Sequence, residues 1–143
     1  MTNERTEGHY LKDVAQPVCE ADRHFKKELK KKVRGVRDLE RQAEKVPTKE
    51  AQVVADYCLA IRTVMRDDGK YPLEPPGLQL YQKLQLSAAS VERVMVAHPS
   101  ALLKRLSRML AVLHLFQREF EQLVILFSWI HHITHLLEAK TSC

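Results

Sequence analysis

Two histidines spaced four residues apart are the first candidates for chemistry in this chain. On a helix, the i, i+4 spacing of His131 and His135 places both imidazoles on one face, which is a geometry that can bind a metal. The segment HHITH lacks the glutamate of the metalloprotease motif HExxH, and Glu138 is the one carboxylate in the neighbouring turns. We therefore expect the imidazoles on the polar side of a helix, without a metal. The core face of that helix is expected to contain Trp129, Ile133, Leu136 and Leu137.

The chain offers no better candidates for nucleophilic or acid–base catalysis. Cys58 falls on the apolar face of a predicted helix, where a thiol is inert packing. Asp67 and Asp68 are adjacent at a predicted helix end, and such pairs are typical of solvated turns. The four glycines are isolated, so no glycine-rich loop is available to bind phosphates. We predict no catalytic residue, no cofactor and no enzymatic activity.

The cations between Arg23 and Arg37 indicate a different chemistry, the binding of phosphate groups. This span contains eight Lys or Arg residues and one acid, Glu28, and carries a net charge of +7. The chain as a whole is +5, so everything outside the span sums to −2. Like charges spaced i, i+4 on a helix repel each other, and few acids are present here to offset that repulsion. Such a concentrated field favours a polyanion, with the nucleic-acid phosphate backbone rather than base edges as the target.

On a helix most of these cations form one stripe. At about 100° per residue, an arc of about 80° contains Arg23, Lys27, Lys30, Arg34, Arg37 and Arg41. The opposite, apolar side contains Phe25, Leu29, Val33, Val36, Leu39 and Ala43. The predicted DNA-binding residues are Arg23, Lys27, Lys30, Lys31, Arg34, Arg37 and Arg41. The alternative is a merely solvated face at the edge of a bundle. Lys32 falls on the apolar side, and Gly35 favours a kink or break.

Four helical segments cover most of the sequence and must position these groups. They run approximately over residues 17–45, 48–66, 78–97 and 101–139, with Pro17 in the first turn and with Thr48 and Ser100 as N-caps. The segment 69–77 contains three prolines and two glycines, which predicts a loop, with Gly69 in a left-handed conformation. The last segment is either one helix or two, with a bend most favoured at 117–119. No stretch alternates like a strand, so we predict an all-α bundle of four to five helices.

Length and composition suit a single domain. We predict a poorly ordered lead-in at 1–16, one helical domain at 17–139 and a tail at 140–143. The three cysteines are far apart and outside any CxxC spacing, which favours a reducing cytoplasm over a disulfide framework or structural zinc. The first residues are polar and do not resemble a signal peptide. The most hydrophobic run, 123–137, contains three histidines and is too short and too polar for a membrane span.

The first part of the chain resembles a known family. The segment HYLKDVAQP at 9–17 and the run EADRHFKKELKKKVRGVR at 20–37 are similar to part of the bacterial insertion-sequence transposases of the DDE type. In those proteins a matching lead-in and basic run follow the second catalytic aspartate. Further similarity lies at 51–66 and in DDGKYPLEPPGLQL at 67–80, and a looser similarity includes the residues around 129–132.

The resemblance has specific implications for function. Such transposases cut and join DNA with an RNase H-like domain whose two aspartates and one glutamate bind two magnesium ions. This chain resembles their mainly helical insertion between the second aspartate and the glutamate. It departs from the family pattern at 6–8, and it ends before any glutamate-bearing motif. No acid of the chain matches the catalytic triad, so we expect an inactive product of a truncated reading frame or a domesticated DNA-binding remnant.

The leading hypothesis is therefore a transposase-derived helical DNA-binding fragment in the bacterial cytoplasm, with DNA as its partner and no membrane association. The alternative is a helical module that docks on a full-length transposase or on a second copy of itself. Residues 123–127 motivate that alternative, because they are apolar nearly all the way round a helix. An independent enzyme is the least favoured interpretation.

Overall fold

The computed structural model describes the backbone of residues 4–66, 69 and 75–141, and the side chains of 13, 15–66, 69 and 75–136. The α-helices are α1 (Glu4–Lys32), α2 (Val36–Glu44), α3 (Lys49–Met65), α4 (Pro76–Ala97), α5 (Ala101–Leu110) and α6 (Gln117–Thr141), and a 3₁₀ helix spans Ala111–Phe116. These residues include no strand, which confirms the all-α prediction.

The helices assemble as a bundle of four arms. The first arm is α1 followed by α2, the second is α3, the third is α4, and the fourth is α5 followed by the 3₁₀ helix and α6. α1 packs against α4 and α6, whereas α2 packs against α3 and α5. Because the fourth arm meets α2 first and α1 afterwards, it runs antiparallel to the first arm.

The first arm is interrupted where the sequence predicted a possible break. α1 ends at Lys32, and the amides of Val36 and Arg37 donate to carbonyls three residues back rather than four, which tightens the backbone for one turn. Gly35 lies in this turn against α5, where an added Cβ would be 3.2 Å from Cε of Met109. Lys32, which falls on the apolar side of the helix, is exposed, as expected for a lysine whose ammonium extends to solvent.

Two predicted boundaries were wrong. α1 begins at Glu4, and Pro17 lies inside it rather than in its first turn. Ala15 and Cys19 are buried on the same side as Phe25, so the apolar face continues upstream of the proline, and its packing offsets the hydrogen bond that proline cannot make. The fourth arm is interrupted by the 3₁₀ helix at 111–116 and not at 117–119. The division into lead-in, domain and tail stays a prediction.

Three helices, α3, α4 and α5, begin at side-chain caps, and the cap of α4 comes from a different helix. Thr48 Oγ1 accepts a hydrogen bond from the Ala51 amide at 3.2 Å and Ser100 caps α5 in the same way, as predicted. α4 is capped by Asp22 of α1, which is fully buried. Its carboxylate accepts hydrogen bonds from the amides of Gly77 at 2.9 Å and Leu78 at 3.0 Å. This contact fixes the start of α4 against α1.

The predicted apolar side of the first arm faces the core. Its buried residues are Phe25, Leu29, Val33, Val36, Leu39 and Ala43, which confirms the assignment. Phe25 packs against Tyr81 and Phe116, with ring centroids 5.7 Å and 5.9 Å away. Burial of this side turns the opposite, cationic side of α1 outward. Gly69 has a φ of 58°, which confirms the left-handed residue predicted after α3.

Candidate nucleic-acid interface

The cations of α1 line an open groove of about 880 Å³ that lies between α1 and the C-terminal end of α3. We call it the basic groove. Its lining residues are Arg23, Lys26, Lys27, Lys30, Lys31, Arg34, Arg37, Arg62, Met65, Arg66 and Pro76. Nine of these described residues are Lys or Arg, and none is acidic. The arrangement therefore concentrates positive charge in one concave surface.

The structure brings six of the seven predicted DNA-binding residues into this groove. They are Arg23, Lys27, Lys30, Lys31, Arg34 and Arg37. Arg41 is exposed one turn further along α2 and is not part of the lining. The predicted stripe assumed one continuous helix, whereas the turn around Gly35 separates α2 from α1 and α2 packs on α3 and α5. Whether these side chains contact DNA stays a prediction.

Three lining cations were absent from the predicted set. Lys26 was counted within the basic span but not selected, and Arg62 and Arg66 come from the end of α3. The i, i+4 spacing of the two arginines is visible in the sequence. Nothing in the sequence, however, places the end of α3 beside α1, so this wall of the groove is a product of tertiary packing.

One of the α3 cations is held by a buried acid. Arg62 donates from Nε to Glu40 Oε2 at 2.5 Å and from Nη2 to Glu40 Oε1 at 2.7 Å, a bidentate geometry typical of strong ion pairs. These hydrogen bonds lower the pKa of Glu40 despite its burial, and the charges of Arg37 and Arg41 act in the same direction. The same pair raises the pKa of Arg62. Glu40 is therefore ionised at neutral pH.

A second acid contacts a groove cation only at the surface. Lys31 donates to Glu28 at 3.2 Å, an i, i+3 pair whose side chains are 48% and 33% exposed. The hydrogen bond from Lys31 lowers the pKa of Glu28. Exposed pairs of this kind exchange readily with solvent, so Lys31 remains accessible to an anion. Asp67 and Asp68, which follow Arg66 in the chain, lie outside the described residues.

The other candidates for chemistry are not assembled into a site. His131 and His135 are exposed on α6, and the described side chains contain no group of three His, Cys, Asp or Glu residues that could hold a metal. Glu138 is outside the described side chains, and the absence of a metal site stays a prediction. Cys58 is fully buried, as its apolar position predicted, and burial raises the pKa of its thiol to about 12.

The outer face of α6 differs from its prediction. Trp129 was expected in the core, but it is 64% exposed, and Leu136 is also exposed. The face of α6 that packs on the bundle contains Leu123, Phe127 and Ile130. A helix that is apolar nearly all round offers several equivalent packing faces, and its neighbours select one of them. None of the helices in the described part of the chain has both the length and the apolarity needed to cross a bilayer.

No protein-family model, curated protein or solved structure matches this chain. The similarity to DDE transposases therefore stays a prediction from the sequence.

Proposed function

We propose that this protein binds DNA by its phosphate backbone in the basic groove. The observation that carries the proposal is the convergence of nine cations from three helices on one concave surface, with no acid in the described lining. Lys and Arg side chains bind phosphates mainly by charge, so such a surface fits sequence-independent contact. The resemblance to transposases favours DNA over other polyanions. On this proposal the protein is a transposase-derived fragment that acts in the cytoplasm without catalytic acids of its own.

The dimensions of the groove suit several phosphates of one strand. From Arg23 to Lys31 the α1 wall is about 12 Å long at about 1.5 Å per residue. The nine cations of the lining are more than enough to neutralise five or six phosphates. Five or six neutralised phosphates give a slope of about −5 in log K against log salt concentration.

The proposal is tested by fluorescence anisotropy with a short labelled duplex over a series of salt concentrations. The wild type should bind at about 50 mM salt with the slope just given. Replacing Lys27, Lys30 and Arg34 by Glu should abolish binding. The matched control replaces Arg93, Lys104 and Arg108 by Glu, because these residues are exposed, lie outside the groove lining and give the same change in net charge. An absence of wild-type binding, or an equal loss in the control, would reject the proposal.

A second candidate function is association through α6. Its outer face exposes Ile125 at 57% and Trp129 at 64%, with Leu126 and Leu136 beside them, and such patches mark contact surfaces. We propose, as the alternative, a module that self-associates or docks on a full-length transposase through this face. Sedimentation equilibrium tests the self-association, which Trp129→Glu should weaken. A protein that stays strictly monomeric at high micromolar concentration would argue against it.

A further inference from the structure

Glu40 is an acid placed beside a groove that attracts anions. Considered only as a negative charge, Glu40 should weaken phosphate binding, because a carboxylate repels a phosphate. Its side chain is only 9% exposed, and its two oxygens accept hydrogen bonds from Arg62 at 2.5 and 2.7 Å. The contact joins α2 to the part of α3 that lines the groove. Glu40 therefore acts on the groove through Arg62 rather than by facing its interior.

The bidentate contact fixes the plane of the Arg62 guanidinium. A guanidinium has five N–H donors in one plane, and Glu40 accepts from Nε and from Nη2. Of the three N–H donors that remain, one on Nη1 and one on Nη2 form the edge opposite Cδ, and the other on Nη1 points back along the side chain. The Arg62 side chain is 20% exposed and belongs to the groove lining, so it is open to a phosphate in the groove. A long side chain that is already fixed loses less conformational freedom when it binds a ligand.

We infer that Glu40 is a positioning residue that strengthens phosphate binding in the basic groove by holding Arg62 in the orientation that meets the ligand. The inference rests on the proposed function. It assigns the ligand a second contact surface on α3, opposite the cations of α1. It also predicts that removal of a negative charge weakens the binding of a polyanion, which is the reverse of what simple repulsion predicts.

A double-mutant cycle tests whether removal of the Glu40 charge weakens or tightens DNA binding. Affinity for the labelled duplex is measured by anisotropy for the wild type, Glu40→Gln, Arg62→Gln and the double variant. Glu40→Gln alone should weaken binding on the order of three- to tenfold, the range expected when a side chain must be ordered on binding. In the Arg62→Gln background the same substitution should tighten binding slightly, because the acid then only repels the ligand. A purely structural effect would not change sign between the two backgrounds.

A second variant keeps the test valid if Glu40→Gln unfolds. Arg62→Lys retains the positive charge but cannot make the bidentate contact, so it should bind more weakly than the wild type at equal net charge. Urea midpoints and circular dichroism verify that each variant is folded at the assay temperature. Tighter binding by Glu40→Gln in the wild-type background, or equal losses in both backgrounds, would overturn the inference while the proposed function stands. A wild type that does not bind the duplex would remove both.

Discussion

Substitutions of Arg66 and Arg41 can show which of two surfaces binds DNA, the basic groove or the cationic stripe predicted from the sequence. Arg41 belongs to the cationic stripe predicted from the sequence but lies outside the groove lining, whereas Arg66 lies at the end of α3 and lines the groove. Both side chains are exposed. Arg66→Gln and Arg41→Gln each lower the net charge by one, so their long-range effects on DNA are alike. Any difference in binding therefore reports on local contact.

The expected difference follows from the release of counterions. A single neutralised phosphate contributes about 0.9 to the magnitude of the slope of log K against log salt. At about 0.1 M salt this amounts to a factor of roughly eight in affinity, or about 1.2 kcal/mol. Arg66→Gln should therefore bind about eightfold more weakly, with a slope reduced by about 0.9. Arg41→Gln should change affinity by less than about twofold, because its side chain lies outside the lining and loses only a screened charge effect rather than a direct phosphate contact.

The measurement is the same anisotropy titration, made at several salt concentrations so that affinity and slope are obtained together. Because neither substitution removes a buried group, both variants should have the urea midpoint of the wild type. If Arg41→Gln lost as much affinity as Arg66→Gln, the ligand would follow the first arm as a stripe, and α3 would not be part of the interface. If neither variant changed the slope, the groove would not be the binding surface.

Three further predictions concern the contacts that hold the groove together. Asp22→Ala leaves the amides of Gly77 and Leu78 without their buried acceptor, so it should lower the free energy of unfolding by about 2–4 kcal/mol in urea titrations, and an unchanged midpoint would contradict this. Gly77→Ala should also destabilise, although alanine is the better helix former, because its Cβ would lie 2.5 Å from the Asp22 backbone oxygen. Because the pKa of Glu40 is lowered by Arg62, their contact stabilises the fold fully above the ordinary value of 4.5 and is lost as pH falls through the lowered pKa. The free energy of unfolding of the wild type should therefore exceed that of Glu40→Gln by about 1–3 kcal/mol at pH 6, and this difference should shrink towards pH 3. A difference that does not change with pH would show that it does not come from the ionised Glu40–Arg62 contact.

The sequence predicts those parts of the fold that depend on neighbouring residues. Thr48 and Ser100 are N-caps, and Gly69 is left-handed, because each feature is decided within one turn of the chain. The buried face of the first arm also follows from helical periodicity alone. Pro17 was misinterpreted for the opposite reason, since a local rule about proline was outweighed by the packing of α1 on α4 and α6. The same limit applies to Trp129, because periodicity cannot decide which side of an apolar helix packs.

The candidate site also has one part that the sequence predicts and one part that it does not. The cations on the α1 wall are predictable, because one helix needs only its own periodicity to place them on one side. The α3 wall is not predictable in this way, since it depends on the packing of α3 beside α2, where Glu40 binds Arg62 across the interface of the two helices. A charge pattern read from one helix therefore identifies the sign of a charged surface but not the shape of that surface. One residue of that surface, Arg62, is bound by the buried acid Glu40, although a simple count of charges would treat this acid as unfavourable to anion binding.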